Sequence, residues 1–177
     1  MKYKLIIFDF DGTLADTFTW FLTIADHLAD KYRLKRLDRS QIETLRGLDI
    51  RQMLQHHKVP MWKLPIIARY LQKLLREDIE KVELFNGVDD LIQNLARQNV
   101  LMAVLSSNSQ HNIQQVLGAE NTARIQYFEC GVSLFGKSKK LKKLLEQTGI
   151  SSSDALCIGD EVRDIQAARN LSIPFGA

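Results

Sequence analysis

Leu5-Ile6-Ile7-Phe8-Asp9-Phe10-Asp11-Gly12-Thr13-Leu14 begins with a continuous apolar run that stops abruptly at acid. Apolar without alternation, such a run has the pattern of a strand covered on both faces. Leu101 to Leu105 and Ala155 to Ile158 repeat the pattern, and Tyr127 to Val132 is a weaker candidate. Helical stripes lie between them. Val88, Leu91, Ile92, Leu95 and Ala96 form one, just after Gly87. Ile113, Val116 and Leu117 form another, with Gly118 expected as its C-cap. Strands alternating with helices of this length predict a parallel α/β sheet.

Residues 17–83 interrupt the alternation. Phe18, Phe21, Leu22, Ala25, Leu28, Ala29 and Tyr32 fit one helix face. Ile67, Tyr70, Leu71, Leu74 and Leu75 fit another, after Pro65. No strand pattern separates them, so a helical module of about four helices is expected here. The α/β core is then two pieces, 1–16 and 84–177. Trp20 and Trp62 are expected to pack in the core or between domains.

The bulk numbers narrow the function. A chain of 177 residues is long enough for one well-buried core and a small insert. Hydrophobic content of 45% and charged content of 25% are ordinary for a globular protein. A formal charge of +3 gives no reason to expect nucleic acid as a partner. The basic stretch Lys137 to Lys143 is expected as a solvated helix face, opposite Leu141, Leu144 and Leu145. No apolar run reaches the length of a membrane span, so no membrane partner is expected. The N-terminus leads straight into Leu5 without a secretory pattern, and Cys130 and Cys157 sit in strand-like surroundings as expected buried thiols. Both features predict a cytoplasmic protein.

Three apolar runs end in polar clusters: Asp9 to Thr13, Ser106 to Ser109, and Gly159 to Glu161. Open parallel sheets bind ligands at the carboxyl ends of their strands, so the clusters should converge on one edge. Asp9, Asp11 and Asp160 would then gather carboxylates whose repulsion demands a cation or raised pKa values. Oxygen donors without His or Cys favour Mg²⁺ and argue against zinc. Ser106 to Ser109 opens a helix, and its free N–H groups and hydroxyls suit an anion, above all phosphate. Lys137 near the next helix start adds positive charge.

These residues resemble the haloacid dehalogenase-like hydrolases. Asp9-Phe10-Asp11-Gly12-Thr13-Leu14 is similar to that family's first motif, Ser106 to the second, Lys137 to the third, and Gly159-Asp160-Glu161-Val162-Arg163-Asp164 to the fourth. The likeness runs from residue 4 to about 175, with one departure: Ser138 stands where the third motif usually has proline. It implies a Rossmann-like parallel sheet with an inserted α-helical cap, placed as in phosphoglycolate phosphatase-like members. It further implies a Mg²⁺-dependent phosphomonoester hydrolase acting on a small phosphorylated metabolite. Asp9 would be the nucleophile, forming an aspartyl-phosphate, and Asp11 the general acid and base. The metal would lie against Asp9, the Asp11 backbone carbonyl and Asp160. Asp164 would orient Lys137 or a metal-bound water. Ser106, with the backbone of Ser107 and Asn108, would hold phosphoryl oxygens, and Lys137 would neutralise charge. Arg46 is the expected cap contact to substrate, with Gly47 and Arg51 nearby. The family normally continues with a strand and loop after a segment like Ser172 to Ala177.

Other readings are a phosphomutase of the same family and a catalytically weak phosphate-binding member. A dehalogenase leaves Asp11 and Asp160 without a task. A receiver domain also combines a phosphoacceptor Asp, acidic metal ligands and Lys on a parallel sheet. The acceptor at the end of the first strand, with a helical insert after it, speaks against a receiver.

Overall fold

The computed structural model describes residues 2–38, 59–131 and 136–177. Met1–Thr17 and Asp78–Ala177 form one compact unit, and Phe18–Glu77 forms a second. Arg46, Gly47, Arg51, His56 and His57 lie outside the described residues, as does much of the stretch expected to complete the four-helix insert.

The first unit is built on a parallel sheet of five strands: β1 (Leu5–Phe8), β2 (Leu101–Leu105), β3 (Tyr127–Glu129), β4 (Ala155–Ile158) and β5 (Phe175–Gly176), in the order β3-β2-β1-β4-β5. The opening run is therefore the central strand. Its residues are all buried, as expected where both edges are paired and both faces covered. Register places Phe8 beside Val104 on one side and Ile158 on the other. The three polar clusters consequently leave the sheet at one edge.

On one face Leu5, Ile7, Ala103, Leu105, Ala155 and Cys157 pack with Leu141 and Leu144 of α5 (Lys137–Thr148) and Ala167 and Ala168 of α6 (Val162–Arg169). Strand side chains alternate between faces, so Ile6, Phe8, Met102 and Val104 point to the other. There α3 (Val88–Arg97) and α4 (Gln110–Arg124) pack together, and Val88, Ile92, Leu95, Ile113 and Leu117 are buried. Truncating a fully buried aliphatic such as Ile7 in such a core costs about 2–5 kcal/mol.

In the second unit α1 (Thr17–Tyr32) and α2 (Leu64–Glu77) bury Trp20, Ala25, Leu28, Ala29 and Leu75. Pro65 sits in the first turn of α2, where its missing N–H breaks no helical bond. Tyr70 joins the two helices: its hydroxyl is 2.9 Å from His27 Nε2, and its ring meets Tyr32 edge-on. Among the described residues, no helix is long and apolar enough to cross a membrane.

Several expectations need correction. Gly118 does not close its helix. It breaks the path at φ 73, and helix resumes to Arg124, because glycine takes a positive φ without steric cost. Leu91 is 40% exposed and Trp62 is 69% exposed, so neither packs in a core. The weak strand candidate is real but ends at Glu129. β5 was not anticipated. The basic helix is solvated at Lys139, Lys142 and Lys143, but Lys137 is buried.

Candidate active site

Asp9 continues the line of β1, its N–H donating to the Ile158 carbonyl at 2.8 Å. One carboxylate oxygen accepts the Phe10 N–H at 2.8 Å, and the other accepts Lys137 Nζ at 2.7 Å. A tight turn follows. The Phe10 carbonyl accepts from the N–H groups of Thr13, Leu14 and Ala15, and Gly12 lies at φ +78. Gly12 is required twice over. A Cβ there would be strained by that φ and would lie 2.3 Å from Asp160 Oδ2. The Asp160 carboxylate rests on this turn and accepts the Thr13 hydroxyl at 3.1 Å.

Lys137 is the first residue of α5. Its ammonium donates to Asp9 and to Asp164 Oδ1, and the side chains of all three are at most 8% exposed. Burial opposes the Lys137 charge, but Asp9 and Asp164 outweigh it and hold the ammonium above its ordinary pKa. Asp164 also closes the start of α6: it accepts the Glu161 N–H at 3.2 Å in a reciprocal capping box. Burial, then the Asp9 charge, push its pKa up, against the pull of Lys137. Ser138, at the place of the family's proline, accepts from Asn170 at 3.3 Å.

Asp11 is turned away from this group. Ser106 Oγ donates to it at 3.1 Å and Asn108 Nδ2 at 3.0 Å. Burial and the Asp9 charge raise its pKa to about 6, although bonds from Asn108, Ser106 and Thr17 oppose the rise. A carboxyl with that pKa can both give and take a proton near neutrality. The Asn108 N–H in turn donates to Ser106 Oγ at 2.9 Å, and Ser109 caps α4 by accepting the Asn112 N–H at 3.2 Å.

Carboxylate oxygens of Asp9, Asp160 and Asp164 lie within 4.8 Å of one another. The close trio thus contains Asp164 rather than the Asp11 carboxylate that strand position suggested, because Ser106 and Asn108 hold Asp11 on the β2 side. Three acids against one ammonium leave net negative charge, and an all-oxygen donor set suits a hard divalent cation. The donors present fit such an ion. Cys157 offers no alternative nucleophile, since burial pushes its thiol up to about 12.

The structure thus gathers Asp9, Asp11, Ser106, Ser107, Asn108, Lys137, Asp160 and Asp164 at one sheet edge. Sequence reasoning missed the Asn108 side chain on Asp11, the Thr13 bond to Asp160, and the pairing of Arg163 with Glu161. The last has no helix-face signal, because residues two apart do not face each other on a helix.

The sequence model of the haloacid dehalogenase-like hydrolases matches residues 6–177. The chain belongs to that family. This hydrolase is 28% identical to a phosphoglycolate phosphatase of Synechococcus elongatus, over 96% of this chain and 81% of that protein. A solved structure from Lactobacillus plantarum aligns at TM-score 0.84 and 19% identity, covering 99% of this chain and 86% of that one. CbbY from Rhodobacter sphaeroides, solved in complex with phosphate, aligns at TM-score 0.73 and 20% identity, over 98% and 84% of the two chains.

Proposed function

We propose that this hydrolase is a Mg²⁺-dependent phosphomonoester hydrolase for a small phosphorylated metabolite, with Asp9 as nucleophile. The observation that carries the reading is the Asp9 carboxylate itself: it ends the central strand, is paired to buried Lys137, and belongs to a trio of acid oxygens within 4.8 Å. The likeness to a phosphoglycolate phosphatase of Synechococcus elongatus and to a phosphate-bound structure supports it.

An Asp9 oxygen attacks phosphorus and forms an acyl-phosphate bond while the ester P–O bond breaks. Asp11 gives its proton to the departing alcohol oxygen. Water then adds to phosphorus, Asp11 takes the proton, and the acyl-phosphate bond breaks to restore Asp9. Lys137 holds Asp9 in place and offsets the negative charge that approaches it. The Ser106 hydroxyl and the N–H groups of Ser107 and Asn108 would donate to phosphoryl oxygens, with Ser106 giving up its bond to Asp11 and Asn108 its bond to Ser106. Asp9, the Asp11 backbone carbonyl and Asp160 would hold Mg²⁺, with Asp164 orienting Lys137 or a bound water; the ion would supply charge neutralisation between two anions. Residues 17–83 serve as the cap, with Arg46 as a substrate contact. The free thiols of Cys130 and Cys157 suit a cytoplasmic setting.

The test is Mg²⁺-dependent hydrolysis of p-nitrophenyl phosphate and a metabolite panel, with acid-quenched mass spectrometry for the phosphoenzyme. Asp9→Asn abolishes both turnover and labelling. Folded wild-type protein inactive across the panel would sink the reading.

A further inference from the structure

Arg163, the second residue of α6, is named by no step above. Its Nη2 donates to Glu161 Oε1 at 3.1 Å, and its Nε donates to Glu161 Oε2. Nη2 also reaches Ser107 Oγ at 3.5 Å. Glu161 follows β4 and Ser107 follows β2, and β1 lies between those strands. The guanidinium therefore spans the sheet edge where Asp9 ends. Its side chain is only 14% exposed. Nη1 is buried, with no acceptor among the described residues. A buried donor left without an acceptor is costly, so proteins rarely keep one without a use.

Burial of a charged fork here has two effects. Glu161 neutralises it enough for the fold to tolerate it. Nη2 already reaches the Ser107 side chain of the loop after β2, and Nη1 is the nitrogen of the same guanidinium left without an acceptor among the described residues. Guanidinium matches the tetrahedral oxygens of phosphate better than an ammonium does, because its donors are planar and fixed.

We propose that Arg163 is a further binding residue of the site, donating from Nη1 to an oxygen of the transferred phosphoryl group while Glu161 holds the fork in place. This rests on the phosphatase reading. It assigns the guanidinium to the transferred phosphate and not to a second anionic group of the substrate.

The experiment uses the full chain with Mg²⁺ and inorganic phosphate as the probe. Phosphate Ki is measured against p-nitrophenyl phosphate hydrolysis, with kcat, KM and urea midpoints, for wild type, Arg163→Ala, Arg163→Lys and Glu161→Gln. Arg163→Ala is expected to raise phosphate Ki and KM on the order of 10- to 100-fold, the range for a charge-assisted hydrogen bond. Arg163→Lys keeps the charge but loses the fork, so its Ki lies between those two, at least about threefold above wild type. Glu161→Gln, which loosens the grip on the fork, is expected to raise phosphate Ki, but by less than Arg163→Ala does. A folded Arg163→Ala enzyme with phosphate Ki within about twofold of wild type overturns the proposal. If that variant fails to fold, an unchanged Ki in Arg163→Lys overturns it instead. So does a KM rise confined to esters bearing a second anionic group, with phosphate Ki unmoved. Wild type that neither hydrolyses the ester nor binds phosphate refutes the underlying phosphatase reading; active wild type with unaffected variants refutes only the role of Arg163.

Discussion

Replacing Lys137 by methionine removes one charge and strands two. The ammonium lies 2.7 Å from Asp9 Oδ2 and also bonds Asp164, with side-chain exposures of 4% for the lysine, 3% for Asp9 and 8% for Asp164. Methionine fills similar volume, so the loss is electrostatic rather than a cavity. Two unit charges about 4 Å apart interact by roughly 4 kcal/mol at an effective dielectric constant of 20. Breaking a buried pair by deleting one partner typically costs about 3–5 kcal/mol. Lys137→Met should therefore lose about 3–5 kcal/mol in metal-free urea unfolding at neutral pH. The sign of a second substitution is the sharper reading. In wild type, Asp164→Asn weakens the lysine pair and the capping box at α6, so it destabilises. In the Lys137→Met background, measured in alkaline buffer above the raised Asp164 value so that both carboxyls are charged, the same change removes repulsion against Asp9 that exceeds the loss of the cap, so it stabilises. Such a reversal is a coupling energy that only a shared charge network produces. A Lys137→Met cost below about 1 kcal/mol, or Asp164→Asn destabilising both backgrounds equally, would refute the charge reasoning.

Gly12→Ala forces a Cβ to 2.3 Å from Asp160 Oδ2 at a backbone φ of +78. The left-handed backbone costs about 1–2 kcal/mol, while displacement of Asp160 weakens Mg²⁺ binding on the order of 10–100-fold; calorimetric titration with Mg²⁺ reads this, and unchanged affinity removes Asp160 as a ligand. Burial pushes the Glu129 pKa up, but Lys140 at 2.6 Å and Lys143 at 2.7 Å outweigh it and hold the carboxyl below its ordinary value. The stabilisation is complete above the ordinary glutamate range and is lost as pH falls through the lowered folded value. Because both lysines are substantially exposed, Glu129→Gln costs under about 1 kcal/mol near pH 7, and the gap to wild type closes in acid; a gap that widens below pH 4 contradicts the sign.

What the sequence made legible follows from how each residue earns its conformation. β1, β2 and β4 announce themselves because strands buried on both faces must be continuously apolar. β5 does not, since Phe175-Gly176 is too short to show a pattern and Pro174 contributes only its carbonyl, which accepts the Cys157 N–H at 2.9 Å. Strand-end position brought Asp9, Ser106 and Asp160 to one edge. It could not say which way a carboxylate turns. Asp11 faces Ser106 and Asn108, and Asp164 takes the place beside Lys137, because hydrogen bonds across the edge decide those rotamers. Gly118 is expected to end its helix but only kinks it, because no local pattern tells a stop from a kink after which helix resumes.

The central place of β1 also sets when the site can exist during synthesis. Leu5 pairs with Leu101 on one side and Ala155 on the other, so both neighbours of the first strand are made long after it. Leu5 to Phe8 leaves the ribosome as a bare apolar segment with high β propensity, the kind that aggregates or engages chaperones while it waits. Asp9 emerges with it, while Lys137 is still untranslated. Asp9 is made well before Lys137 and Asp164, and its carboxylate cannot be placed until they arrive. Folding of the sheet is governed by non-local pairing, which makes assembly slow relative to the helices that form around it.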